Sequence, residues 1–133
     1  MILHESAENY LKTILILQKR LGKVRSIDVA NELGFSKPSV SIAVKKLRKE
    51  GLVDVDGNGD LLLTESGLNY ASSVLERHTV IEGYLLNILD VDAKTAHMDS
   101  CRLEHLLSEE TFNKIKENVK ETLPNQEEGT DDK

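Results

Sequence analysis

The chain has 133 residues, 39% of them hydrophobic and 30% charged, with a formal net charge of -6. That suffices for one ordinary domain or two small ones with a buried core, and is too little for a large enzyme fold with an inserted cofactor domain. The longest apolar runs, such as Ile14-Leu15-Ile16-Leu17, predict no membrane-spanning segment, and Met1 to Glu8 predict no secretion signal.

The acidic total hides an uneven distribution. Residues 20–50 sum to +5, residues 51–63 to -3 and residues 64–133 to -8. A basic module on an acidic body is compatible with nucleic acid, because a binding surface depends on local charge. Cys101 is the single cysteine, so no internal disulfide can form. A reduced, cytoplasmic setting is expected, where the thiol is a packed residue, a nucleophile or a metal ligand.

In residues 7–20, Tyr10, Leu11, Ile14, Leu15 and Leu17, with Leu21 beyond, recur at three and four residues, predicting a first helix that ends near Gly22. Ser26, with Ile27, Val29, Ala30 and Leu33 behind it and Gly34 last, predicts an N-cap, a two-turn helix and a C-terminal glycine. Ser36 predicts the cap of a third helix that tolerates Pro38 in its first turn and turns Val40, Val44 and Leu47 inward. Two β-prone runs around Gly57-Asn58-Gly59 predict a hairpin. Three helices and a hairpin make a winged helix-turn-helix over residues 1–63.

Thr64 is expected to start a long fourth helix reaching about Leu89, with Leu68, Ala71, Val74, Leu75, His78, Ile81 and Leu85 near one side, despite Gly67 and Gly83. Its length suggests a dimerisation backbone. Two further helices are expected near Ala93–Leu107 and Ser108–Val119, completing a helical domain over 64–121, and residues 122–133 are expected to be an acidic, disordered tail. The fold class is mostly α with one small β-hairpin.

The third helix would lead into the major groove with Ser36, Lys37, Pro38, Ser39 and Ser41. Small hydroxyls and a proline ring suit close approach and thymine-methyl contact, but no Arg, Asn or Gln there reads bases in bidentate fashion. Lys45 and Lys46, followed by Arg48 and Lys49, suit phosphates, and Arg25 and Ser26 at the second helix join the candidate DNA-binding residues. Asp54, Asp56 and Asp60 make the wing a poor phosphate clamp.

His97, Cys101, Glu104 and His105 fall within an arc of roughly 100° on the fifth helix. On the fourth, His78 and Glu82 are four apart and also share a face. Two helices can thus supply six nitrogen, oxygen and sulfur donors, a set suited to a divalent transition metal.

The run His97-Met-Asp-Ser-Cys101-Arg-Leu-Glu104-His105, the pair His78 and Glu82, the segment Ser6-Ala-Glu-Asn-Tyr10 and the run Ser36-x-Pro38-Ser39-Val40-Ser41 together resemble the diphtheria toxin repressor family of metal-dependent regulators. The resemblance covers about residues 5–120. It implies a primary, activating metal site at Cys101, Glu104 and His105, with a further ligand from the first helix at Asn9, and an ancillary site at His78, Glu82 and His97. Iron-responsive members usually carry Met at the position of Asn9 and manganese-responsive members Asp. Lys12 stands where manganese-type members use Glu. Fe2+ is therefore the expected ion, with Mn2+, Zn2+, Co2+ and Ni2+ open, since ligand softness does not select one of them. Longer members append an SH3-like domain that can complete the ancillary site, and this sequence stops before it.

The resemblance implies a homodimeric, metal-activated repressor of metal-homeostasis genes on a palindromic double-stranded DNA operator, not an enzyme. Two other readings compete: a winged-helix regulator sensing an organic ligand or oxidation of Cys101, and a hydrolase pairing Cys101 with His97 or His105. Asp54-x-Asp56-x-Asn58-Gly59 with Glu65 also matches a calcium-binding EF-hand loop. That loop needs flanking helices, whereas strands are predicted on either side, so a hairpin turn is the expectation.

Overall fold

The computed structural model describes residues 5–122. These form α1 (Glu5–Leu21), α2 (Ser26–Leu33), α3 (Lys37–Lys49), β1 (Val53–Val55), β2 (Leu61–Leu63), α4 (Glu65–Asn87), α5 (Ala93–Leu106) and α6 (Glu109–Thr122). The mostly helical fold with one antiparallel hairpin agrees with the sequence pattern. The chain divides into two compact units, one running to Val74 and the other beginning at Leu75, a division inside α4. Of the expected tail, Thr122 closes α6 and the rest lies outside the described residues.

In the first unit, α1 buries Tyr10, Leu11, Ile14, Leu15 and Leu17, while Leu21 at its end is exposed. Burial pushes the Tyr10 phenol above its usual range, because the phenolate would lose hydration. Helix α2 begins differently from the expectation. Ser26 is its first helical residue, and the cap is Arg25, whose extended backbone N–H donates to Asp28 Oδ2 at 2.9 Å. An acid three residues on thereby satisfies the Arg25 amide, and the cap falls one residue before Ser26. Gly34 closes α2 in the left-handed region at φ 72°.

Ser36 caps α3 by accepting from the Ser39 N–H, and Val40, Val44 and Leu47 turn inward. Helices α2 and α3 pack together and α1 lies against both. In the hairpin, Val53 pairs with Leu63 and Val55 with Leu61. Alternation buries Val53 and Leu61 and exposes Asp54 and Leu62. The Leu61 N–H also donates to the Val24 carbonyl at 2.7 Å, which fixes the hairpin to the α1–α2 connection.

The start of α4 is tied to the turn after α3. Thr64 Oγ1 accepts from the Gly67 N–H and donates to the Gly51 carbonyl, while the Thr64 N–H donates to the Leu52 carbonyl. Leu68, expected on the inner side, is exposed. The second unit has a small apolar core that includes Ile81, Ala96, Phe112 and Val119. Asp92 caps α5, and Ser108 Oγ accepts from the Thr111 N–H at the start of α6.

Candidate functional site

The six candidate metal donors that the sequence places on α4 and α5, His78, Glu82, His97, Cys101, Glu104 and His105, belong to one connected cluster. His78 Nδ1 lies 2.8 Å from Glu104 Oε1, and His78 Nε2 lies 3.0 Å from Glu82 Oε1. The other Glu82 oxygen is 3.4 Å from His97 Nδ1, and the other Glu104 oxygen is 3.1 Å from His105 Nε2. Cys101 Sγ faces His97 Nε2 at 3.7 Å and His78 Nδ1 at 4.0 Å. The cluster runs from the surface inward: the His97 side chain is 61% exposed and that of Glu104 0%.

Helical spacing explains this convergence. Four residues on α5 at intervals of four, three and one present their side chains to the face where α4 offers an i,i+4 pair. The chemistry fits a divalent transition ion, since imidazole, thiolate and carboxylate are its usual protein donors. Taking a carboxylate out of water costs several kcal/mol unless opposite charge and hydrogen bonds compensate, in order of magnitude ~3–5 kcal/mol when its partner is removed. Glu104 has imidazoles on both oxygens, and a bound cation would supply the charge they lack when neutral.

In the first unit, Ser36, Lys37, Pro38, Ser39, Ser41, Lys45 and Lys46 are all exposed on or beside α3. Ser36 and Ser39 also hydrogen-bond through their hydroxyls at 2.9 Å. The Arg25 guanidinium is braced against the hairpin turn: it donates to the Asn58 carbonyl and lies 3.7 Å from Asp60 Oδ1. Ser26 is half-buried at the start of α2. Asp56 Oδ1 accepts from the Asn58 and Asp60 N–H groups, both at 2.9 Å, forming a turn between strands. The residues that mimic an EF-hand loop are thus hairpin residues.

Residues 2–61 match the iron dependent repressor N-terminal DNA binding domain, and residues 64–126 match the iron dependent repressor metal binding and dimerisation domain. This chain belongs to the iron-dependent repressor family. An uncharacterised HTH-type transcriptional regulator of Methanocaldococcus jannaschii is 32% identical over 113 residues, which cover 84% of this chain and 90% of that protein. The diphtheria toxin repressor of Corynebacterium diphtheriae is 31% identical over 84% of this chain and 49% of its own length. A solved structure of the manganese regulator SloR matches with a TM-score of 0.75 and 35% identity, over 85% of this chain and 53% of that one. The chain spans about half the length of these last two relatives.

The iron-dependent repressor family is one of metal-dependent transcriptional repressors, with iron and manganese regulators both represented among the relatives. All six α4–α5 donors fall in the segment matching its metal-binding domain, whereas Asn9 is half-buried on α1 in the other unit. Among the described residues, no helix is long and apolar enough to cross a membrane.

Sequence reasoning missed two features of this family member. Arg77 donates to the carbonyls of Leu107 at 2.8 Å and Glu104 at 3.4 Å, with its guanidinium 5.0 Å from the Phe112 ring centroid. It satisfies the C-terminal carbonyls of the helix that carries the donors. Because it acts from a different helix, no local spacing announces it. The second is Ile42, 70% exposed on α3 among the hydroxyls and lysines. A β-branched apolar residue outside the inner stripe was the signal available.

Proposed function

We propose that this chain is a metal-activated transcriptional repressor that binds a near-palindromic double-stranded DNA operator of metal-homeostasis genes as a cytoplasmic homodimer, and is not an enzyme. The observation carrying this reading is the fully buried Glu104 carboxylate, shared between His78 and His105 inside a cluster of six metal-type donors. Following the resemblance, we assign Cys101, Glu104 and His105, joined by the Asn9 side-chain carbonyl, to the activating site, and His78, Glu82 and His97 to an ancillary one. Fe2+ is the ion we assign, with Mn2+, Zn2+, Co2+ and Ni2+ as competitors for the same donors.

A divalent ion held there supplies positive charge that stabilises the ionised carboxylates and the Cys101 thiolate. Glu104 and His105 orient one another, and Arg77 holds the end of α5 that carries them. Asn9 brings a ligand from α1, so ion loading is linked to the arrangement competent for DNA. At the DNA, α3 presents Ser39, Ser41 and Pro38 to base edges while Lys37, Lys45 and Lys46 neutralise phosphates. The dimer places one α3 in each half-site. Exposed Met98 and Leu106 on α5, in the segment matching the dimerisation domain, support that assembly.

The test is an anaerobic titration of metal-stripped protein with Fe2+ and Mn2+, following binding to a selected operator beside a Glu104→Ala/His105→Ala variant. Metal should tighten sequence-specific binding in the intact protein alone, and the ratio of half-points identifies the sensed ion. Strong binding that ignores both ions and substitutions overturns the proposal. Because both altered residues are buried, Glu82→Ala provides a half-exposed companion variant.

A further inference from the structure

The atoms group Cys101 differently from the family-based assignment. Glu82 grips the outer nitrogen of each histidine, Oε1 with His78 Nε2 at 3.0 Å and Oε2 with His97 Nδ1 at 3.4 Å. The two other nitrogens, His78 Nδ1 and His97 Nε2, face Cys101 Sγ at 4.0 and 3.7 Å, and His78 Nδ1 also meets Glu104 Oε1 at 2.8 Å. Ligand atoms of His78, His97 and Cys101 all lie within 4.8 Å of one another. A carboxylate that fixes the far nitrogen of a metal-binding imidazole sets its tautomer and direction. Here a single carboxylate stands in that position for two imidazoles.

Resting on the reading that this cluster holds metal, we infer that His78, His97 and Cys101 form a thiolate–bis-imidazole site for a tetrahedral ion of the Zn2+ or Co2+ class, with Glu82 positioning both rings rather than ligating. Bond lengths decide between geometries. With Zn–S ~2.3 Å and Zn–N ~2.0–2.1 Å, a tetrahedral angle separates sulfur from nitrogen by ~3.5 Å, and an octahedral right angle by ~3.1 Å. The sulfur–nitrogen separations exceed both values, the tetrahedral one by less, so the three side chains close inward to take a shared ion. As the sulfur–metal bond forms, the thiol proton leaves to solvent. His97 is exposed, so water can reach the fourth position, while Glu104 Oε1 gives up its contact with His78 Nδ1 as the ion takes that nitrogen.

This grouping shares Cys101 with the proposed activating set. A thiolate committed to the histidine pair is withdrawn from Glu104 and His105, so the two arrangements compete for one sulfur. Tetrahedral ions and Fe2+ then load the same cluster differently, which gives the protein a means of discriminating between them.

The experiment uses the metal-free full-length chain, titrated anaerobically with Co2+ and read by absorbance. The expected spectrum has a near-ultraviolet thiolate-to-cobalt band and strong visible bands of tetrahedral cobalt, both displaced by Zn2+. Cys101→Ser removes the thiolate band. His97→Ala weakens Co2+ binding beyond the ~10–100-fold cost of losing an orienting residue, whereas Glu82→Gln costs that amount and leaves the band in place. His105→Gln leaves both sets of bands intact, and exposed His97 keeps the test valid if the His105 variant does not fold. The inference is overturned if no thiolate band appears in the intact protein, or if the band survives His97→Ala and disappears with His105→Gln. Operator binding on the same samples separates the two claims. Retained metal dependence with a His105-dependent band leaves the repressor standing and removes only this site, whereas metal-independent operator binding removes the repressor.

Discussion

Gly67 shows how one residue can invert a local preference. Alanine is favoured over glycine inside a helix by about 1 kcal/mol. A Cβ at Gly67, however, would sit 1.9 Å from the Leu52 carbonyl oxygen, a backbone atom held by the Thr64 N–H. The clash outweighs the helix gain, and Gly67→Ala is expected to destabilise the protein by about 1–3 kcal/mol. Urea unfolding measures it, with Gly57→Ala as control, since nothing lies near a Cβ there. A stabilised Gly67→Ala protein would contradict this account. In sequence, Gly67 looks like a helix defect. Asp60 is likewise misread as a surface charge on the wing, but it is buried and 3.7 Å from Arg25 Nε. Both errors have one cause: the deciding neighbour is distant in sequence.

At the scale of elements, α3 was the most legible. Its serine cap, early proline and inner stripe of Val40, Val44 and Leu47 are local signals that act within a few residues. Exposure of Lys45 and Lys46 follows from the same period. If each contacts a phosphate in the operator complex, Lys45→Ala and Lys46→Ala each reduce the slope of log affinity against log salt by roughly 0.9. Affinity measured at several salt concentrations reads this directly, and unchanged slopes in both variants would place the phosphate contacts elsewhere. Helix α2 was read one residue out of step, because Asp28 satisfies the Arg25 amide and made a Ser26 cap unnecessary. The donors on α5 were legible as a set through helical spacing. Their support was not, since Arg77 reaches the Glu104 and Leu107 carbonyls from α4.

For the whole molecule, the second unit carries both the small core around Phe112 and Ile81 and all six clustered donors. Binding that favours the folded state stabilises it by about 2.7 kcal/mol when free ion is 100 times the dissociation constant. Thermal unfolding should therefore shift upward with Fe2+ or Zn2+ and return with chelator, and Glu104→Ala should lose the Fe2+ shift. An ion that tightened operator binding with no such shift would have to act without preferential binding to the folded chain. Competition between ions belongs to this scale too, because Cys101 lies within reach of both histidines while the family pattern couples it to Glu104 and His105.

Periodicity, caps and turn residues were enough to establish the helices, the hairpin and the existence of a donor cluster, because each depends on residues a few positions apart. Tertiary structure decided which donor faces which. Rotation about χ angles and the register between α4 and α5 determine that Glu82 holds both imidazoles and that Cys101 Sγ meets their other nitrogens, one of which Glu104 also engages. Helical spacing places side chains on a face, and the packing of one face against another selects the atoms that meet.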